Sequence, residues 1–258
     1  MCLTGLQTAL TWMTASESPS SASPLPSNPL PPGQRERQDF PRFGMTPFAN
    51  RFPDSMAKSI EVGGALMDST KNPMKVNFST TQLQRSSIVA DFHCVTTWSK
   101  LHLTWGGFRF YDFFEELVKP YLLSATDDVL VLFTAQDGYR VGLQLQDLLR
   151  SDVMLADELD GQPLSVQHGA PLRLVAPAHY GYKNPKHLRN IEFFPADYDY
   201  PRAGFKFMDH PRARVSHEER GQFFPGWLLR YLYRPLIKST VNKFRDAQKR
   251  HDSLSPRN

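Results

Sequence analysis

Hydrophobic and polar positions alternate in short stretches along most of this chain. Ser59 to Gly63 and Met74 to Phe78 follow the two-residue period of a strand. Ser87 to His93 is more continuously apolar and predicts a buried strand ending at Cys94. Val129 to Phe133 is an unbroken apolar strand, and Asp137-Gly138 is a hairpin signal ahead of Tyr139 to Leu145. Met154 to Glu158, Leu172 to Val175 and Ile191 to Phe194 complete the predicted strands, with turns at Asp160-Gly161 and His168-Gly169. Trp105-Gly106-Gly107-Phe108 and the stretch opening at Gln82-Leu83 are expected to be turns as well. Helical spacing within this span is confined to Tyr111 to Val118 and a short piece from Leu145 to Leu149. The pattern predicts an α+β fold, rich in strands arranged in mixed sheets, with function on the loops between them.

The two ends depart from this pattern. Ser16 to Pro32 holds six serines and six prolines, too little apolar surface to offset the entropy of ordering. Residues 1–38 are therefore expected to form a disordered extension, and 39–224 the folded domain. From Pro225 to His251, apolar residues such as Trp227, Tyr231 and Phe244 interleave with Arg230, Lys238 and Lys249, and Pro235 divides the segment into two helical pieces. Residues 225–258 are expected to be a basic, amphipathic helical extension.

Composition narrows the function classes. The chain has 258 residues, 40% of them hydrophobic and 12% aromatic, enough for a real core. Its 30 basic and 26 acidic residues are mixed along most of the length, with the excess near the C-terminus, so nucleic acid is not expected as a partner. No apolar run approaches the ~20 residues of a membrane helix. Two cysteines cannot make a disulfide framework, and the start is too polar for a good signal peptide, so a cytoplasmic setting is expected.

Of the two cysteines, Cys94 closes an apolar run inside the segment Asp91-Phe92-His93-Cys94-Val95-Thr96-Thr97-Trp98-Ser99. Such a thiol is a nucleophile, a soft-metal ligand or a small buried hydrophobe. Strand alternation turns the adjacent His93 to the opposite face, which leaves His102, His168 and His179 as the other candidate bases. No second cysteine or paired-histidine spacing accompanies Cys94, which excludes an ordinary zinc site. Arg173 lies on a short apolar strand, where an unpaired charge is costly and an anion is called for. Lys183, Asn184 and Lys186 on the following loop carry donors suited to a phosphate. The plainer alternative is a solvated loop, with Arg173 paired to a core carboxylate.

Together these motifs resemble the catalytic domain of the sulfite oxidase-like, molybdopterin-dependent oxidoreductases. The resemblance rests on His93-Cys94 leading to Trp98-Ser99, the Trp105-Gly106 pair, and the Asp137-Gly138-Tyr139 hairpin ending in an apolar Leu143-x-Leu145. It continues through Asp160-Gly161-x-Pro163-Leu164 and the block from His168 to Lys186, and covers about residues 40 to 195. It implies molybdenum held by a molybdopterin, with Cys94 as the thiolate on the metal. His168 and Arg173 would contact the pterin or its phosphate, as would Thr134 and the loop Asn184-Pro185-Lys186. Phe43 and Gly44 match a segment that covers the cofactor, Tyr139 matches a tyrosine beside the metal, and Arg42 matches an oxyanion-binding arginine. The implied activity is oxygen-atom transfer on a small sulfite- or sulfoxide-like substrate, with electrons exchanged with a separate electron-transfer protein. The basic C-terminus would serve such a partner, or an anionic membrane surface by peripheral contact. Relative to the family pattern, no haem-binding histidine pair precedes the core, no immunoglobulin-like domain follows it, and no export signal is evident. The competing readings are a cofactor-free binding protein on the same fold and a thiol-dependent hydrolase using Cys94.

Overall fold

The computed structural model describes residues 29–123, 128–204 and 206–254. In chain order its strands begin with β1 (Arg35–Glu36), β2 (Ser59–Gly63), β3 (Met74–Asn77), β4 (Arg85–His93) and β5 (Trp98–Arg109). After a short helix α1 (Phe110–Phe113), extended by a wider turn to Val118, come β6 (Val129–Ala135) and β7 (Arg140–Gln144). Helix α2 (Leu145–Leu148) leads to β8 (Met154–Leu159), β9 (Gln162–Pro163), β10 (Arg173–Val175) and β11 (Leu188–Pro195). Two helices end the described chain, α3 (Gly226–Tyr233) and α4 (Leu236–Leu254).

The strands form two sheets. One runs β1-β5-β8-β10, with β4 on β5 and β9 on β8; the other runs β3-β2-β11-β6-β7. The pairs β1–β5 and β2–β11 are parallel and the remaining pairs antiparallel, so both sheets are mixed. Strand β5 is the hinge of the first sheet. Its first residues pair with β1 and its last with β8, while β4 follows it almost throughout. Within the β8 pairing a bulge falls between Gly106 and Gly107. A Cβ on Gly107 would sit 2.3 Å from the Leu155 carbonyl oxygen, at a φ of +154°. The Trp-Gly-Gly segment is thus the middle of a strand, not the expected turn, because paired glycines serve bulges as well as turns. Strand β4 is likewise less buried than its composition predicts; it pairs only with β5, and Val89 is 60% exposed.

The main core lies between the sheets. Phe108, Leu155 and Leu174 of the first sheet meet Ile60, Phe133, Ile191 and Phe193 of the second, with Phe110, Phe113 and Phe114 filling one end. Burying each such side chain stabilises the fold by about 1.5–3 kcal/mol. The other face of the first sheet carries a second cluster, Leu103, Trp105, Met154, Ala156 and Val175, under Phe40 and Phe92. That second face carries the candidate site.

Part of the expected N-terminal extension is ordered there. Residues 1–28 lie outside the described residues, but Arg35–Glu36 pair with Trp98 and Ser99, and Gln34 is buried. The segment from 34 to 38 therefore belongs to the folded unit. At the other end Val241, Phe244 and Ala247 of α4 turn inward, and Phe244 and Ala247 pack with Ala49.

Candidate cofactor-binding site

The turn between β4 and β5 carries Cys94. It is closed by Cys94 N–H donating to the Trp98 carbonyl (2.8 Å) and Thr97 N–H donating to the Cys94 carbonyl (3.1 Å). Thr97 takes a φ of 80°, a costly conformation for a β-branched residue, and the surroundings hold it there. Gln34 is one support. Its amide donates to the Cys94 carbonyl (3.1 Å) and its oxygen accepts from Ser99 Oγ (3.2 Å). Arg220 is another, donating to the carbonyls of Val95 (2.5 Å) and Pro32 (2.9 Å).

The thiol is 6% exposed and 3.1 Å from Thr96 Oγ1. Burial raises its pKa, against the opposing pull of Thr96, Arg220 and Lys186. His93 turns to the other side, as alternation predicts, and its Nδ1 lies 2.8 Å from Ser99 Oγ. His179 is held elsewhere, its Nε2 3.4 Å from an Asp147 oxygen. Among the described residues no histidine is hydrogen-bonded to Cys94. A buried, un-ionised thiol without a base is a poor nucleophile, which weighs against the hydrolase reading.

Arg173 starts β10 on the second-cluster face. Its guanidinium is 1% exposed, donates to the His168 carbonyl (2.7 Å) and lies over Trp105 (4.8 Å) and Phe92 (5.7 Å). Among the described residues it forms no ion pair, and burial lowers its pKa to about 9. Gly169 lets the next loop approach: a Cβ there would sit 3.1 Å from the Cβ atoms of both Arg173 and Lys186, at a φ of +113°. Among the described residues Lys186 donates only to the Gln167 carbonyl (3.0 Å). Burial first, then Arg173 and Arg42, push its pKa well below the usual lysine range. His168 stacks on Phe40 with ring centroids 4.7 Å apart, and its Nδ1 is buried without a partner. Burial, helped by Lys186 and Arg173, drops its pKa to about 3. His187 closes the set, its Nδ1 2.5 Å from the Ala170 carbonyl and its pKa lowered by burial to about 4.

Here the structure brings together a buried arginine, a half-buried lysine and an unpartnered imidazole, with no ion pair to either cation among the described residues; the Asp137 carboxylate reaches Lys186 only from beyond ion-pair distance. A phosphate fits these residues, because it would supply the missing charge and accept their hydrogen bonds. A metal on Cys94 would also have to bring most of its ligands with it. Among the described residues no group of three or more His, Cys, Asp or Glu could hold one. Both conditions describe a metal carried by an anionic organic cofactor.

Other predicted residues are placed differently. Phe43 packs edge-on against Trp98 (5.6 Å), and a Cβ on Gly44 would meet Phe244 of α4 at 3.3 Å, so this pair covers the cysteine turn. Asn184 does not present its amide to a ligand. Its Oδ1 accepts from Ala176 N–H (2.6 Å), and its Nδ2 faces the Ala176 and Tyr180 carbonyls. The Pro185 carbonyl accepts from Leu174 N–H (3.0 Å), tying the loop to β10. Lys183 points away, donating to Asp209 (2.8 Å) and the Gly142 carbonyl (2.9 Å).

Thr134 lies on β6 in register with Arg140 and Asn190. Alternation sends Phe133 into the main core and Thr134 to the outer face of the second sheet, away from the site. Tyr139 packs against the main core and donates to the Tyr182 carbonyl (2.8 Å), and burial holds its pKa far above the usual phenol range. Arg42 donates to the carbonyls of Ala49 (2.7 Å) and Arg51 (2.6 Å) and stacks on Phe52 (4.1 Å). Its guanidinium braces the N-terminal segment.

Gln34, Gln167 and Arg220 support the site but carry no sequence signal. They act through one or two long-range hydrogen bonds each, which have no period and no spacing.

Comparison with known proteins agrees with this chemistry. The family model described as an oxidoreductase molybdopterin-binding domain matches residues 54–201. Oxidoreductase YuiH of Bacillus subtilis is 34% identical over 171 residues, which are 65% of this chain and 80% of the relative. The methionine-sulfoxide reductase catalytic subunit MsrP of Campylobacter jejuni is 30% identical over 163 residues, covering 52% of this chain and 53% of that one. MsrP of Xanthomonas campestris is 35% identical over 94 residues, covering 32% and 29%. The chain thus spans about half or less of these MsrP subunits. Among solved structures, sulfane dehydrogenase SoxCD from Paracoccus pantotrophus aligns with a TM-score of 0.43 and 18% identity, over 53% of this chain and 38% of that one. With more than half of its length matched, and most of YuiH covered, this chain belongs to the family of molybdopterin-binding oxidoreductases.

Proposed function

We propose that this oxidoreductase reduces a small sulfoxide-like substrate by oxygen-atom transfer. The balanced reaction takes a sulfoxide, two electrons and two protons to a thioether and water. Molybdenum in its pterin would supply the oxygen-accepting centre and pass the electron pair. The chain's own residues do the rest. Cys94 would give the metal its thiolate, losing a proton that the protein alone keeps in place. Arg173, Lys186 and His168 would hold and neutralise the cofactor's phosphate. Phe40, Trp98 and Trp105 keep water out. Electrons would come from a separate electron-transfer protein. A reducing, cytoplasmic setting suits the buried free thiol of Cys94.

The observation that carries the cofactor assignment is the pair of cations near Cys94, Arg173 and Lys186, that have no ion-pair partner among the described residues. Arg42 favours a sulfoxide over sulfite: the guanidinium matched to an oxyanion site is already bound to two carbonyls and an aromatic ring. The names of the MsrP relatives support the same direction.

The test is molybdenum and pterin content in protein from a host that makes molybdopterin, followed by turnover with a sulfoxide and with sulfite. Stoichiometric molybdenum, sulfoxide reduction, and loss of both in Cys94→Ala are expected. Full activity in Cys94→Ser, or well-folded protein without molybdenum from a competent host, overturns the cofactor assignment. Turnover of sulfite alone overturns the substrate.

A further inference from the structure

Helix α3 presents the wrong face to solvent. Leu229 and Tyr233 face inward, and Arg230 reaches Glu218, as expected for a helix packed on a domain. The outward face should then be polar. Instead Trp227, Tyr231 and Leu232 are 57%, 67% and 58% exposed, and Phe223, Phe224 and Leu236 extend the patch on either side. Six large apolar side chains lie within 14 residues of sequence, whereas single exposed residues such as Met56 or Leu123 are ordinary. Beside them, α4 exposes Lys238, Lys243, Arg245, Lys249 and Arg250, against only Asp246 and Asp252.

We propose that α3 and the start of α4 dock on an anionic membrane surface, with Trp227, Tyr231 and Leu232 entering the headgroup boundary and the lysines and arginines meeting lipid phosphates. Charge complementarity selects this occupant. A second copy of the chain would bring the same positive charge. Residues 1–28 carry a single acidic residue, Glu17, and no Asp, so they do not complement the patch. An acidic protein would satisfy the lysines but set charged surface against Trp227 and Leu232. An anionic bilayer offers both layers at once, headgroup charge above hydrocarbon. Tryptophan and tyrosine are the side chains suited to that boundary. The proposal is independent of the reaction catalysed.

The experiment is flotation of the full-length holoenzyme with vesicles of phosphatidylcholine, alone or with a third replaced by phosphatidylglycerol. Binding to the anionic vesicles is expected, weakened at least about tenfold by molar salt, which shortens the screening length. Lys238→Glu with Lys243→Glu should weaken it by about tenfold or more. In a Trp12→Phe background, anionic vesicles should shift tryptophan emission to the blue, and Trp227→Phe should abolish the shift, since Trp98 and Trp105 are already buried. These side chains point outward, so the variants leave the packing of α3 intact. Protein that stays in solution with anionic vesicles at low salt overturns the proposal, and so does binding indifferent to both sets of variants. Vesicle binding that arises only after removal of residues 1–28 also overturns it, and would show that the chain's own N-terminal segment covers this face.

Discussion

Lys183 and Lys186 sit three residues apart in one loop, the first buried and the second half-buried, and their surroundings follow opposite rules. Lys183 meets a carboxylate, Asp209, which also pairs with Arg202. Lys186 donates to a carbonyl and lies in the field of two arginines, with Asp137 acting on it only from beyond ion-pair distance. The contrast extends outward from each. On the Lys183 side Glu218 bridges Arg220 and Arg230, Asp147 holds Arg212, and Glu219 holds Arg214. On the Lys186 side, Arg173 and His168 have no such partner among the described residues. A buried charge that serves only the fold comes with its counter-charge; one that serves a ligand does not.

The largest test of this contrast breaks a paired site. Glu218→Ala leaves Arg220, 0% exposed, without its carboxylate and should cost the cofactor-free protein about 3–5 kcal/mol in urea unfolding. Next comes the unpaired site, where the sign should reverse. Arg173→Met removes an uncompensated buried charge, so cofactor-free protein should be unchanged or stabilised by about 1–4 kcal/mol, while pterin retention collapses. A destabilised apoprotein would show that Arg173 has a structural counter-charge after all.

Acid separates the two regions on one axis. His168 and His187 are held neutral, with pKa values of about 3 and about 4, while their unfolded values lie near 6.5. The unfolded chain therefore binds more protons below pH 6.5, and apoprotein stability should fall as pH drops from there towards 4. Glu219 has the same sign in a lower window. Burial alone would raise its pKa, but Arg214 and its backbone N–H, with His210, bring it to about 2, so its contribution persists until pH falls below about 4.5. His168→Gln should flatten the stability profile between pH 6.5 and 4.5, measured by urea midpoint, and Glu219→Gln should not. The smallest effect is a surface control: Glu115→Gln, losing an exposed pair with Lys119, should cost no more than about 0.5 kcal/mol.

What the sequence disclosed follows from what has a period. The two-residue alternation located Ser59–Gly63 to the residue, and an unbroken apolar run located Val129 to Phe133 within two. Spaced motifs located Cys94, His168, Arg173 and Lys186, which the structure gathers on one face of the first sheet. Glycine pairs misled, because the same freedom serves a turn and the bulge at Gly106-Gly107. Direction within short segments was also hidden. The loop from Gly181 to Lys186 winds tightly, so Lys183, Asn184 and Lys186 point to three different places. Thr134 is one residue out of phase with the inward side of its strand. The two-residue strand Arg35–Glu36, in a proline-rich stretch, is too short to leave a pattern.

Arg220 has a consequence for the order of events in the cell. It fastens the Val95 carbonyl, next to the cysteine, from 125 residues further along the chain, and the Pro32 carbonyl from 188. The matched family region ends at residue 201. A nascent chain can therefore complete that whole region while the loop bearing its only described thiol still lacks this hold. Until Arg220 emerges from the ribosome, the cysteine turn relies on its own backbone hydrogen bonds and on Gln34.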